Sequence, residues 1–138
     1  MKLYQLLIVL ALGFAACKAS PKIEITKQSA STAPAKSAKI IHRIDNQNFA
    51  AKIASSPDAQ VVDVRTPKEC TKGVIKNAIN INYHDRDFAE QANGKLDKNK
   101  PVMLYCAAGG RSAKAANILK KQGFKEIYEL ESGYGGWK

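Results

Sequence analysis

The chain has 138 residues, 45% of them hydrophobic and 25% charged, which is material for one globular domain with a modest core. Its formal charge of +10 favours anionic partners, but basic and aromatic residues do not interleave, so no nucleic acid is expected among them. The two histidines, His42 and His84, have no cysteine or histidine at zinc-like spacing, so no metal site is expected.

The chain opens with Lys2 and an apolar run from Leu6 to Ala16, interrupted by Gly13. That run is shorter than the roughly 20 residues a membrane span needs and has the flanks of a secretory h-region. Residues 1–16 are therefore read as a signal segment outside the fold. The small residues Ala15 and Ala16 before Cys17 resemble the lipobox of bacterial lipoproteins, with Phe14 where that pattern usually has Leu. The resemblance implies lipidation of Cys17 and a membrane-anchored protein exported to the periplasmic side of the cell envelope. Lys18 after the cysteine, in place of an aspartate, favours the outer over the inner membrane. Residues 17–39, rich in Ser, Ala, Lys, Thr and Pro and without an aromatic residue, read as a flexible tether.

Strand and helix signals then alternate. A strand is expected over 40–44, and Asp45 is placed to cap a helix carrying Phe49, Ala50 and Ile53. Residues 60–64 read as a buried strand, and Thr66 followed by Pro67 starts a short helix that Gly73 ends. A strand over 78–81 and a helix over 85–91, broken by Asn93 and Gly94, come next. The apolar run Val102, Met103, Leu104, Tyr105 is a strand, and 112–122 is a helix burying Ala115, Ala116, Ile118 and Leu119, with Gly123 beyond its end. A strand over 126–130 precedes a glycine-rich tail containing Trp137. Such alternation predicts an α/β fold, a mostly parallel sheet flanked by helices on both faces, with ligands at the carboxyl ends of the strands.

Cys106 stands at one of those ends. Ala107, Ala108, Gly109 and Gly110 follow it, then Arg111 at the start of a helix. Unpaired N–H groups and partial positive charge at a helix N-terminus favour a thiolate. Gly109 and Gly110 are expected to turn successive N–H groups inward as an anion-holding nest, with Arg111 adding a permanent charge.

These residues, together with others, resemble a single rhodanese domain over 40–138. Residues 62–69 are similar to that family's first motif, 73–80 to its Gly-His-Ile-Pro-Gly-Ala-Xaa-Asn stretch, 106–112 to its active loop, and Gly133 to Trp137 to its C-terminal signature. Val74, Lys76 and Asn77 replace the usual His, Pro and Gly, Cys70 stands where an aromatic residue is common, and Ser132 replaces a glycine. The resemblance implies a sulfurtransferase. Cys106 would take sulfane sulfur from a small anionic donor such as thiosulfate, hold it as a persulfide on the loop of Ala107, Ala108, Gly109, Gly110 and Arg111, and pass it to cyanide or a thiol, with no cofactor. Phosphatases that pair a cysteine with an arginine have a loop one residue longer; the four residues between Cys106 and Arg111 make a cradle for one sulfur rather than a tetrahedral phosphate. A non-catalytic sulfur-binding or interaction module is the alternative.

In rhodaneses the positions of Asp63 and Arg65 help hold the site. Asp63 is read as structural; Arg65 is left between a salt bridge, with Glu69 one turn on, and substrate contact. Trp137 is read as a packed anchor and Lys114 as an exposed helix lysine. Cys70 is expected to fill a small apolar space. Its sharper alternative is a second thiol that resolves the persulfide as a disulfide.

Overall fold

The computed structural model describes residues 40–137. The signal segment, Cys17 and the tether expected over 1–39 lie outside the described residues. Five strands, β1 (Ile41–Ile44), β2 (Gln60–Asp63), β3 (Ile79–Asn80), β4 (Val102–Tyr105) and β5 (Ile127–Leu130), alternate with the helices α1 (Asn46–Ser55), α2 (Pro67–Cys70), α3 (Phe88–Lys95), α4 (Gly110–Lys121) and α5 (Gly133–Gly136). Every pairing is parallel and the order across the sheet is β1-β5-β4-β2-β3. The centre strand, β4, is buried at all of its positions, as a strand covered on both faces must be.

Side chains alternate between the two faces with a period of two. Val62, Val102, Leu104, Cys106 and Ile127 point to a layer made by Phe88 and Ala92 of α3 and by Ala115, Ala116 and Leu119 of α4. Val61, Met103, Tyr105 and Leu130 point to the opposite layer, with Phe49 of α1, Ile75, Tyr134 and Trp137. The Trp137 ring packs edge-on against Phe49, the anchoring role expected of it. Ile118 lies at the margin of the first layer and is only partly buried.

Local chemistry sets the element ends. Asp45 caps α1 by accepting the Asn48 N–H at 2.8 Å, and Thr66 and Glu69 form a reciprocal capping box around α2. Helix α4 begins at Gly110, two residues before the expected start, and β3 is confined to Ile79–Asn80. Helix α3 starts at Phe88 and runs through Asn93 and Gly94 to Lys95. Phe88 and Ala92, one turn apart, bury one face of it against the core, and that packing outweighs the roughly 1 kcal/mol of lost helix propensity at a glycine. Within the glycine-rich tail, Gly133 to Gly136 make the single turn α5.

Candidate active site

Cys106 follows the centre strand directly and is 1% exposed. Its parity with Val102 and Leu104 directs the sulfur to the α4 face, beneath the first turn of that helix. Burial pushes the thiol up, but hydrogen bonds from the Ser112 hydroxyl and from the backbone N–H groups of Ser112, Ala108 and Arg111 outweigh it, so the thiol is held below its ordinary value. Ser112 Oγ lies 3.4 Å from Sγ. Of the nest expected from Ala107 to Arg111, the N–H groups of Ala108 and Arg111 are the ones that reach the sulfur, and Ser112 joins them.

Of the two loop glycines only Gly109 has left-handed backbone, with φ +82°. A methyl group there would strike the Glu131 carbonyl. Gly110 is the first residue of α4, with open space around it, so the expectation that both glycines turn the loop is corrected to Gly109 alone. Cys106 and Ala107 are held from below by the tail. The Tyr134 N–H donates to the Cys106 carbonyl at 2.7 Å, and the Gly135 N–H donates to the Ala107 carbonyl at 2.9 Å. Gly133 permits this approach: its φ is +61°, and a Cβ would lie 2.5 Å from the Ala107 carbonyl carbon and the Ala108 nitrogen.

Arg111 is not a free charge over the loop. Its guanidinium grips the Glu69 carboxylate with two bonds of 2.8 and 2.6 Å, a bidentate pairing. Glu69 also accepts the Thr66 N–H and hydroxyl. Arg111, assisted by Thr66, holds the Glu69 carboxyl down at about 2. The pair fastens α2 to the start of α4 and fixes the Arg111 charge at the loop.

The proposed Arg65–Glu69 bridge does not form. Arg65 is 3% exposed and pairs with Asp63, itself fully buried: Nη2 donates to Oδ2 at 2.6 Å, and Nε donates at 3.0 and 2.9 Å to the two carboxylate oxygens. Arg65 Nη2 also donates to the Gly73 carbonyl at 2.7 Å, and the guanidinium lies 3.9 Å from the Tyr134 ring centre. Since Tyr134 and Tyr105 occupy the layer opposite α4, Arg65 supports the loop from the side away from the sulfur. Asn80 completes the support, its amide donating to the carbonyls of Asp63 and Arg65.

Cys70 does not fill an apolar gap. It is partly exposed, and its thiol donates to Asp63 Oδ2 at 3.4 Å. Burial and the Asp63 carboxylate push it up to about 11. Lys114 is exposed. Among the described residues no three His, Cys, Asp or Glu side chains converge as metal ligands.

Sequence reasoning passed over three polar partners: Ser112, Glu69 as the mate of Arg111, and Glu129. Glu129 is 1% exposed on β5, beside Leu104 in register. Ser112 Oγ lies 2.6 Å from its Oε1, so this carboxylate competes with the Cys106 sulfur for the one hydroxyl proton, and Arg43 Nε lies 3.3 Å from its Oε2. A charged residue between Ile127 and Leu130 in a strand next to the sheet centre was the available signal, since the alternation of that strand points it inward.

Comparison with known proteins agrees with the resemblance. The family model for the rhodanese-like domain matches residues 45–138. A protein named sulfurtransferase from Allochromatium vinosum is 29% identical over 98 residues, 71% of this chain and 89% of that protein. A tRNA uridine(34) hydroxylase from Pelagibacter ubique is 37% identical over 83 residues, but the match spans 27% of its length and 59% of this chain. Among solved structures, a rhodanese-like domain protein from Staphylococcus aureus superposes with a TM-score of 0.62 at 31% identity, covering 70% of this chain and 91% of that one. A rhodanese-related protein from Thermoplasma volcanium gives 0.55 at 29% identity, covering 70% and 89%.

Proposed function

This chain belongs to the rhodanese-like domain family, and on that membership we propose that it is a sulfurtransferase working through a persulfide on Cys106. The thiolate attacks the outer sulfur of an anionic donor such as thiosulfate. A sulfur–sulfur bond forms on Cys106, and the donor's own sulfur–sulfur bond breaks, with sulfite leaving on its electron pair. Cyanide or a thiol then attacks the outer sulfur and Cys106 returns as thiolate. One observation carries this reading: a buried thiol at the end of the centre strand is kept easy to ionise by N–H and O–H donors that converge on it. The same donors suit the negative outer sulfur of a persulfide, and Arg111, fixed by Glu69, adds positive charge at the loop without having to be ordered when donor arrives.

The test uses the purified full chain with thiosulfate and cyanide. Thiocyanate should accumulate, and after thiosulfate alone the Cys106 peptide should gain the mass of one sulfur. Absence of both with several sulfane donors would overturn the reading and leave a binding module. Hydrolysis of an aryl phosphate would point to phosphate chemistry instead. We further propose that the protein works at the periplasmic side of the envelope, anchored by lipid on Cys17. Incorporation of labelled fatty acid that disappears in Cys17→Ser supports the anchor, and equal incorporation by both forms removes it.

A further inference from the structure

Beneath the loop, Ser112 links Cys106 to Glu129, a buried carboxyl that sulfur transfer as outlined above leaves unused. Ser112 Oγ is 3.4 Å from Cys106 Sγ on one side and 2.6 Å from Glu129 Oε1 on the other, with the Gly109 carbonyl at 3.1 Å. All three residues are buried. A serine hydroxyl has one proton, so it cannot donate to the sulfur and to the carboxylate together. If Glu129 is ionised, the short bond claims the hydroxyl proton, and the Ser112 oxygen is left to accept from a Cys106 S–H. If Glu129 is protonated, its O–H donates to Ser112, and the hydroxyl proton turns to a Cys106 thiolate. The two arrangements differ by the transfer of one proton along the chain.

We propose that Glu129 accepts the Cys106 proton through the Ser112 hydroxyl, so that thiol and carboxyl share a single exchangeable proton. In the step, the S–H bond breaks as that proton passes to the Ser112 oxygen, and the former hydroxyl proton forms an O–H bond on Glu129 Oε1. No electrons change hands and no co-reactant is needed. Sulfur transfer, on which this inference rests for its use, gains a thiolate whose proton stays inside the protein, ready to return once acceptor attack sets the thiolate free again.

The surroundings of Glu129 suit an acceptor. Burial raises its carboxyl above the ordinary value, against the lowering effect of Ser112 and of Arg43. The charged and titratable groups facing it are Arg43 from β1, at 3.3 Å and itself about half exposed, Cys106 from the end of β4 by way of Ser112 on α4, and Glu131 just beyond its own strand. Arg43 forms its ion pair with the far oxygen, Oε2, leaving Oε1 to Ser112. That division lets one oxygen take the proton while the other keeps its cation.

The experiment follows alkylation of the Cys106 peptide by iodoacetamide against pH in the full chain, resolved by mass spectrometry from the peptides of Cys17 and Cys70. Two coupled groups lose their protons in two steps. The parent should therefore show a two-step rise in alkylation rate. Glu129→Gln keeps a donor to Ser112 but accepts no proton, and should show one step, at least about one pH unit below the parent's upper step. Superimposed profiles would overturn the proposal, because a glutamate that merely holds Arg43 has no reason to set the thiol's titration. Should Glu129→Gln fail to fold, carboxyl-labelled glutamate in the parent and in Cys106→Ser gives the converse reading. The highest-titrating carboxyl should lose its second step in the serine variant, and an unchanged curve would equally overturn the proposal. Neither measurement contains a sulfur donor, so a chain that ionises as described yet transfers no sulfur would count against the sulfurtransferase reading and not against the relay.

Discussion

Cys106 and Cys70 are both withdrawn from bulk water, and burial by itself lifts both thiols. The net shifts nonetheless have opposite signs. Cys106 meets three backbone N–H groups and a hydroxyl at the mouth of α4, whereas Cys70, the last residue of α2, meets the Asp63 carboxylate. Partial positive charge stabilises the thiolate in the first case, and full negative charge opposes it in the second. Burial, the largest single influence on each thiol, opposes ionisation in both, and the sign of the charge on their hydrogen-bond partners is what separates them. A resolving role for Cys70 needs a thiolate, and its position beside Asp63 works against one.

Removing each sulfur in turn gives the largest contrast. Cys106→Ser should abolish persulfide formation and lower thiocyanate production by at least about a thousandfold, as loss of a covalent nucleophile does. Cys70→Ser should leave turnover within about twofold, since its hydroxyl can still donate to Asp63. The change in intact mass on oxidation should be alike for Cys70→Ser and parent; a disulfide present only in the parent would reinstate Cys70 as a partner of Cys106.

Asp63→Asn probes the reason for the difference. The change leaves Arg65 buried without its anionic partner, which costs about 3–5 kcal/mol of stability, readable in denaturant unfolding. In the fraction that folds, Cys70 should alkylate at lower pH, because its opposing carboxylate is gone. An unchanged Cys70 profile would mean that burial, not Asp63, keeps that thiol protonated.

A smaller effect comes from the tail beneath Cys106. Gly133→Ala puts a methyl 2.5 Å from the Ala107 and Ala108 backbone at φ +61° and should destabilise by about 1–3 kcal/mol. By shifting the loop it should also move the Cys106 alkylation profile to higher pH. Gly94→Ala, in open space within α3, should stabilise by about 0.5–1 kcal/mol. If Gly133→Ala moves stability but not the thiol, the donors around the sulfur do not depend on the tail.

The contrast between these regions also explains what was readable from the sequence. Apolar alternation and the helix caps are local signals, so the strands, Asp45, Thr66 and the position of Cys106 at a strand end could all be read. Partnerships across the fold could not. Arg65 was matched to Glu69 by helical spacing, but Thr66 starts the helix after Arg65, so that spacing does not apply; the guanidinium instead turns back on Asp63, and Glu69 is left for Arg111, 42 positions along the chain. Ser112 read as an ordinary helix start because nothing local announces that Glu129, from a neighbouring strand, lies beneath it.

The smallest effect concerns pH and the Arg111 anchor. The Glu69 carboxyl, with an ordinary value of 4.5, is lowered to about 2 by Arg111. A group depressed in the folded state contributes stability that is complete above its unfolded value and disappears as pH falls through its folded one. The pair should therefore be fully effective above about pH 4.5 and fade toward pH 2. Both side chains are partly open to solvent, so screening limits the contribution to about 1 kcal/mol or less. Glu69→Gln should remove that part of the acid dependence while retaining a capping oxygen for Thr66. Its more telling effect falls on Arg111, which loses the carboxylate that positions it. If Arg111 acts on the sulfur donor from a fixed place, the variant should raise KM for thiosulfate severalfold with kcat little altered. If kcat falls instead, Arg111 works on the persulfide or the leaving sulfite, and the Cys106 cradle includes its charge as well as its N–H.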